Sequence, residues 1–340
     1  MIQKIYNSVN INSLQKIIPA NSGIFAIIDN KVEEYFAGFK NWNFICVDAS
    51  EDIKSLEAVG KICSVLMDMH ADRDCFIIGA GGGVTTDLAG FVASVYKRGV
   101  RFGLVPTTLL AACDAAIGGK NGVNHNGLKN MVGTTTLPEW TFQSTLFFKT
   151  LPERVFKEGI AEMLKTFLIS DKDLYRESVD FFKKTTVAKK ERTLRKLIQE
   201  CALQKMRIIG DDLNDTEQRR LLNLGHTFGH ALESYFIQKQ GGDILHGEAV
   251  AAGIIASAKI SVKMGLLKND ESQAIVQDFK DCGILSDYGI PALRLFKYIN
   301  QDKKIRGDKL HLILPVKTGK AKGIDISPQE LKNLCKGLDL

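Results

Sequence analysis

An α/β fold is expected, with a sheet-forming first half and a mainly α-helical second half, and three observations predict it. Short apolar runs alternate with amphipathic stretches over the first part of the chain. A glycine-rich turn joins one of those runs to a helix, and beyond Leu151 the pattern lengthens into helical segments. The 340 residues suit two cores better than one, since domains usually run ~100–200 residues. The boundary is placed at Thr150, giving an α/β domain over 1–150 and a helical domain over 151–340.

In the first half GIFAIID, ending at Asp29, and FICVDA read as strands. DIKSLEAVGKICSVLMDMHA reads as a helix and CFIIGAGGG as a strand running into glycines. Next come VTTDLAGFVASVYKRG, an apolar helix with Thr86 and Asp87 in its first turn, and RFGLVPTTLL, a strand closed by Pro106 and two threonines. In the second half RVFKEGIAEMLKTFLI, TTVAKKERTLRKLIQECALQKM, RRLLNLGHTFGHALESYF and GEAVAAGIIASAKISVKMG read as helices. There only KLHLILPV alternates as a strand does, and GGD at 241–243 marks a loop.

Composition excludes several classes of protein. With 45% hydrophobic and 25% charged residues and no repeat, the chain is neither fibrous nor disordered. The 45 basic and 39 acidic residues give only +6, not gathered into a block, so nucleic acid is not an expected partner; a mild positive balance suits a small anionic substrate. The seven cysteines are odd in number and scattered through apolar runs, as free thiols of a reducing cytoplasm would be. MIQKIYNSVNINSL does not read as a signal peptide, and no segment has the ~18–20 apolar residues that span a membrane.

Three groups of residues carry chemistry. GAGGGVTTD at 79–87 places glycines between a strand and a helix, where backbone N–H groups and the helix N-terminus favour a pyrophosphate. The Thr107–Thr108 hydroxyls follow the next strand at the same carboxyl edge. LGHTFGH sets His226 and His230 four apart on a helix, and LHGE adds His246, so three of the six histidines fall within 21 residues. With Glu162 in an apolar helix, this nitrogen and oxygen set suits a catalytic divalent ion; spacing alone leaves open which histidines would ligate it. The polar segment DAAIGGKNGVNHNGLKN at 114–130 reads as an anion-binding loop, with Lys120, Lys129 and Asn130 as candidates. Lys165 lies three residues beyond Glu162 on the same side of its helix, and Arg219, Asn223, His226 and His230 form a polar row along one helix face.

GGGVTTDLAGF, VPTTLL, DAAIGGKNGVNHNGLKN, GIAEMLK, LNLGHTFGHALE and LHGEAVAAG, in this order over roughly residues 25–315, resemble the 3-dehydroquinate synthases of the sugar phosphate cyclase superfamily. The resemblance implies a Rossmann-like N-terminal nucleotide-binding domain, a helical metal- and substrate-binding domain, NAD, zinc or cobalt, and a homodimer. It implies Glu162, His226 and His246 as metal ligands, leaving His230 for the substrate. NAD would contact Asp29, Glu51, Lys54, Gly82, Gly83, Val84, Asp87, Thr107, Thr108, Lys129 and Thr150, with Asp114 and Lys120 where cofactor and substrate meet. The substrate would meet Lys120, Asn130, Lys165, Lys205, Arg219, Asn223, His230 and Lys304, the last preferred over Lys303, with Arg98 reaching across from a neighbouring subunit.

The implied reaction converts 3-deoxy-D-arabino-heptulosonate 7-phosphate to 3-dehydroquinate and phosphate through transient oxidation, elimination, re-reduction and aldol closure. Lys205 and Arg219 argue against relatives that cyclise neutral sugar phosphates, and Lys120 and Lys129 against a polyol dehydrogenase. Asn121, Thr86 and Asp215 depart from the commonest family pattern, where Thr, Gly and Glu are frequent.

Overall fold

The computed structural model describes residues 3–20, 22–183, 191–210, 212, 218–239, 244–299, 305–306 and 309–340. The chain forms two compact units, Met1–Pro152 with Leu194–Met206, and Glu153–Thr193 with Arg207–Leu340.

The first unit is built on a six-stranded sheet. Its strands are β1 (Lys4–Asn7), β2 (Ile24–Asp29), β3 (Asn43–Val47), β4 (Phe76–Gly81), β5 (Arg101–Pro106) and β8 (Trp140–Gln143), in the order β1-β8-β5-β4-β2-β3. All five pairings are parallel. β2 and β4 are buried along their whole length, which is why they read as unbroken apolar runs: a parallel strand covered on both faces has no polar side to alternate with. Helices α1 (Leu56–Asp68) and α2 (Gly83–Val95) contribute Ile62, Leu66, Leu88 and Val92 to a core that also holds Ile27, Ile77 and Leu104.

Local chemistry moves several expected boundaries. α1 begins at Leu56, later than the DIKSL reading, because the Ser55 hydroxyl caps it by accepting from the Ala58 N–H; Glu51–Ile53 form a separate 3-10 turn. α2 begins at Gly83, so Asp87 stands just past its first turn. Strands β1 and β8 were not expected, each being only four residues long. The segment expected as a polar loop is largely a hairpin of β6 (Lys120–His125) and β7 (Leu128–Thr135). Asn126 and Gly127 turn it with φ of +50° and +75°, values that an Asn-Gly pair adopts in a two-residue hairpin turn.

The second unit is mainly helical. It contains α3 (Glu153–Ser170), α4 (Lys172–Lys183), α6 (His226–Gln238), α7 (His246–Lys263), α8 (Asn269–Asp281), α9 (Phe296–Ile299) and α10 (Pro328–Leu334). Helix α5 (Glu191–Ile209) lends its middle, Leu194–Met206, to the first unit. A small sheet holds β9 (Ile305–Arg306), β10 (Lys309–Lys317) and β11 (Lys320–Ile326) in the order β11-β10-β9. KAKGIDI, overlooked as a strand, pairs antiparallel with β10; only Ala321 and Ile326 of it are buried, as befits a lysine-bearing edge strand.

RRLLNLGHTFGHALESYF is not one helix. Residues Gln218–Asn223 form a 3-10 turn, and α6 starts afresh at His226 after Gly225, whose φ is +81°. The cause is a close backbone crossing: a Cβ on Gly253 of α7 would lie 1.9 Å from the Gly225 carbonyl oxygen. Only glycine permits both the left-handed turn and the approach. The polar row from Arg219 to His230 is therefore divided between two elements.

Among the described residues no helix is long and apolar enough to cross a membrane. The seven cysteines, all among the described residues, form no disulfide, and five are buried.

Candidate active site

In the first unit most of the expected cofactor residues gather at the carboxyl edge of the sheet. β4 ends at Gly81, β5 at Pro106 and β2 at Asp29. Gly82 caps α2 without a side chain, and a Cβ on Gly81 would lie 2.5 Å from the Thr85 side chain, so the turn into α2 has no room for one. The Thr107 N–H donates to the Gly81 carbonyl at 2.8 Å, bringing the Thr107–Thr108 turn beside the glycines. Thr108 accepts from the Ala111 N–H through its hydroxyl, opening a single π-helical turn, Ala111–Ala115, that carries Asp114.

Charged groups in this unit form linked pairs. Lys54 Nζ meets Asp87 Oδ2 at 2.5 Å, and Lys205 Nζ donates to Asp114 at both Oδ1 and the carbonyl, at 2.7 and 2.6 Å. Glu51 accepts from Asn124 Nδ2 at 2.7 Å, and Asn124 in turn accepts from the Asn130 N–H, so the hairpin is tied to the turn after β3. Asp29 caps the following turn by accepting from the Lys31 N–H. Val84 is partly buried in the first turn of α2, while Lys120, Lys129, Asn130 and Thr150 are exposed. Arg98 is also exposed, with a φ of +70°, next to Lys97 at +47°.

Burial pushes the Asp87 carboxyl up to about 6, against the pull of Lys54 and with further help from Asp114 and Glu51. Because this lies above the ordinary 3.8, the folded protein holds a proton between about pH 4 and 6 that the unfolded chain releases. The buried charge therefore weighs against folding above pH 6, and that cost fades as the pH falls toward 4. A carboxyl-carbon NMR titration should place the Asp87 midpoint near 6, and Lys54→Met should move it higher. A wild-type midpoint near 4 would contradict the burial argument.

Two of the departures from the family pattern have structural explanations. Asn121 Nδ2 donates to the carbonyls of Gly119 and Thr136 at the base of the hairpin, and its side chain fills the space left by Gly90. The Thr86 hydroxyl is within hydrogen-bond reach of the carbonyls of Gly82 and Gly83 inside α2. Asp215 lies outside the described residues, as do Lys303 and Lys304.

In the second unit Glu162 lies in the middle of α3, with no exposed surface. One turn on, Lys165 is 1% exposed and pairs with it, which replaces the surface ion pair that i, i+3 spacing usually means. Glu162 Oε1 is 3.9 Å from His226 Nε2 and 3.4 Å from His246 Nε2. One ligand atom from each of the three residues lies within 4.8 Å of the others. The His226 and His230 rings are 5.3 Å apart and those of His230 and His246 are 6.3 Å apart, so His230 stands beside the trio. A buried carboxylate facing two imidazoles fits a divalent ion that keeps a position open for a substrate oxygen.

Neighbouring contacts set this geometry. His226 is the first residue of α6, and its Nδ1 lies 3.2 Å from the Leu224 carbonyl. His246 is the first residue of α7, whose start is fastened to α3 by the Arg154–Glu248 pair at 2.7 and 2.9 Å. Glu158, one turn before Glu162, interacts with the backbone N–H groups of Gly247 and His246. Arg219 is buried and Asn223 half-buried in the turn before α6. Sequence reasoning missed Glu233, 7% exposed, whose Oε1 is 3.7 Å from His246 Nδ1. Its signal was available: His226, His230 and Glu233 stand at i, i+4 and i+7 of α6, on one face. Burial opposes charge on His246, but Glu162 and Glu233 more than reverse this and push the imidazole up to about 10. The same negative field would favour a cation.

A solved 2-deoxy-scyllo-inosose synthase complexed with carbaglucose-6-phosphate, NAD+ and Co2+ matches with a TM-score of 0.85 and 27% identity, over 98% of this chain and 96% of that one. The scaffold is that of the sugar phosphate cyclases, enzymes that act on phosphorylated sugars. Within that class, residues 44–158 match the family described as 3-dehydroquinate synthase N-terminal and residues 159–305 the one described as 3-dehydroquinate synthase C-terminal. The 3-dehydroquinate synthase of Clostridium tetani is 37% identical over 324 residues, 92% of this chain and 85% of its own. That of Pyrococcus abyssi is 39% identical over 287 residues, 84% of this chain and 82% of its own. The chain belongs to the 3-dehydroquinate synthase family.

Proposed function

We propose that this chain acts as a 3-dehydroquinate synthase, converting 3-deoxy-D-arabino-heptulosonate 7-phosphate to 3-dehydroquinate and phosphate in the shikimate pathway. The observation that carries the reading is the buried Glu162 facing His226, His246 and Lys165, in a chain that also keeps the glycine turn at 81–83. When bound, NAD supplies a reversible hydride acceptor and zinc or cobalt, held by Glu162, His226 and His246, a Lewis acid for a substrate hydroxyl.

The remaining work falls to the chain's own groups. Gly82, Gly83 and the N-terminus of α2 receive the pyrophosphate of the dinucleotide, while Asp29, Glu51, Asp87, Thr107, Thr108 and Thr150 orient its other parts. Lys54 and Lys205 hold Asp87 and Asp114 in place by their ion pairs. Lys120, Asn130, Lys165 and Arg219 bind the carboxylate and phosphate of the substrate, and such remote anion contacts fix the reacting carbon. His230 and Asn223 position the substrate hydroxyls and move protons there, with Lys205 and Lys304 as further cations. A homodimer, in which Arg98 reaches the neighbouring subunit's substrate, and a cytoplasmic location complete the proposal.

The test is to offer the protein the heptulosonate phosphate and, separately, a hexose phosphate without a carboxylate, each with zinc and NAD, and to follow phosphate release. Release from the acid alone supports the proposal. Release from the neutral sugar phosphate alone would assign the chain to another cyclase activity.

A further inference from the structure

Both proposed histidine ligands have an oxygen near the ring nitrogen that faces away from Glu162. For His226 it is the Leu224 carbonyl, 3.2 Å from Nδ1. For His246 it is a side chain: Glu233 Oε1 stands 3.7 Å from Nδ1, while Nε2 lies 3.4 Å from Glu162 Oε1. The two carboxylates thus address opposite nitrogens of one imidazole. Glu233 is 7% exposed and reaches His246 from α6, two turns after His226, so the helix that provides one imidazole also provides the carboxylate behind the other.

We infer that Glu233 is a positioning residue for the metal centre: when a metal is held, its carboxylate closes from 3.7 Å to accept the Nδ1–H of His246, fixing the tautomer and ring plane that aim the Nε2 lone pair at the site shared with Glu162 and His226. The physical reason is general. A neutral imidazole has one N–H and one lone pair, and whichever nitrogen donates decides which one can ligate. A carboxylate behind the ring also raises the basicity of the ligating nitrogen, and loss of such a partner typically costs metal affinity. Free rotation of the ring about its Cβ–Cγ bond would otherwise leave the lone pair to be oriented when the metal arrives. Glu233 touches neither substrate nor cofactor in this role, and acts only through His246.

The inference rests on the reading of Glu162, His226 and His246 as the metal ligands, and the test separates the two. Zinc and cobalt affinities of the full chain are measured by competition with a chromophoric chelator for wild type, Glu233→Ala, Glu233→Gln and His246→Ala, with circular dichroism to check folding. Glu233→Ala should bind about 10–100-fold more weakly. Glu233→Gln, which keeps an acceptor oxygen but loses the charge, should fall between it and wild type. The cobalt spectrum of Glu233→Ala should also change, as a reoriented ligand alters the field at the ion, while its unfolding temperature stays that of wild type; a spectral change found only with a lowered unfolding temperature would mean that α6 and its His226 had loosened, and would overturn the role of Glu233. Wild-type affinity and spectrum in Glu233→Ala, with metal lost in His246→Ala, would overturn the role of Glu233 and leave the ligand set standing. Retained stoichiometric metal in His246→Ala would instead overturn the ligand set. Should Glu233→Ala fail to fold, wild-type affinity in a folded Glu233→Gln would still refute the inference.

Discussion

His246→Ala is expected to yield a folded protein that no longer holds stoichiometric zinc or cobalt and has lost nearly all activity. One of three ligand atoms gathered within 4.8 Å disappears, and Glu162 remains buried on α3 with its negative field but without the imidazole 3.4 Å away. A Lewis acid contributes several kcal/mol to stabilising developing charge, and each 1.4 kcal/mol is about a factor of ten in rate, so a fall of roughly 10²–10⁴ follows. Metal analysis after gel filtration, with phosphate release on the same sample, checks both parts. The buried surroundings of α7 leave its fold intact, because His246 is the first residue of that helix and its side chain is 30% exposed.

Gly253→Ala is expected to destabilise the second unit by roughly 3 kcal/mol, at the upper end of what overpacking costs. The new methyl group would lie 1.9 Å from the Gly225 carbonyl oxygen and 2.9 Å from the Gly229 nitrogen, both backbone atoms that cannot rotate away. α6 and α7 must then separate, and with them His226 and His246, so metal affinity falls together with the unfolding temperature. Gly60→Ala is the matched control: a Cβ there meets nothing within 4 Å on α1, and replacing a helical glycine should stabilise by roughly 0.5–1 kcal/mol. Thermal unfolding of the two variants side by side reads the contrast. Equal midpoints would contradict a close backbone crossing at Gly225 and Gly253.

How far these features could be read from the residues differs from place to place. The sheet of the first unit was legible because β2 and β4 are apolar throughout, a pattern imposed by burial on both faces. β1 and β8 were not, since four residues are too few to establish a period. The β6–β7 hairpin carried a clear signal in Asn126–Gly127, but its polar composition suggested a loop: β7 is almost wholly exposed and has no apolar face.

In the second unit, the histidine spacing pointed to a metal centre without dividing ligands from neighbours. That division came from family resemblance, and it remains a proposal beside the observation that one ligand atom each of Glu162, His226 and His246 lies within 4.8 Å of the others. The burial of Lys165 beside Glu162 could not be read from i, i+3 spacing, which looks the same on a surface. Nor could the break before α6, because a glycine within an apolar helical pattern is usually tolerated; it is the passage of α7 at Gly253 that forces the turn at Gly225. Long-range contacts of this kind leave no local mark other than the glycines themselves.

As a 3-dehydroquinate synthase the chain would bind a phosphorylated sugar acid, oxidise it and reduce it again within one turnover. The most direct test supplies the heptulosonate phosphate with zinc and a small, limiting amount of NAD, and measures phosphate released against NAD present and NADH formed. The expected result is many phosphates released per NAD, 3-dehydroquinate in equal amount, and no net NADH. Phosphate release that stops when the NAD is exhausted, with NADH accumulating in step, would contradict it and mark the protein as a dehydrogenase.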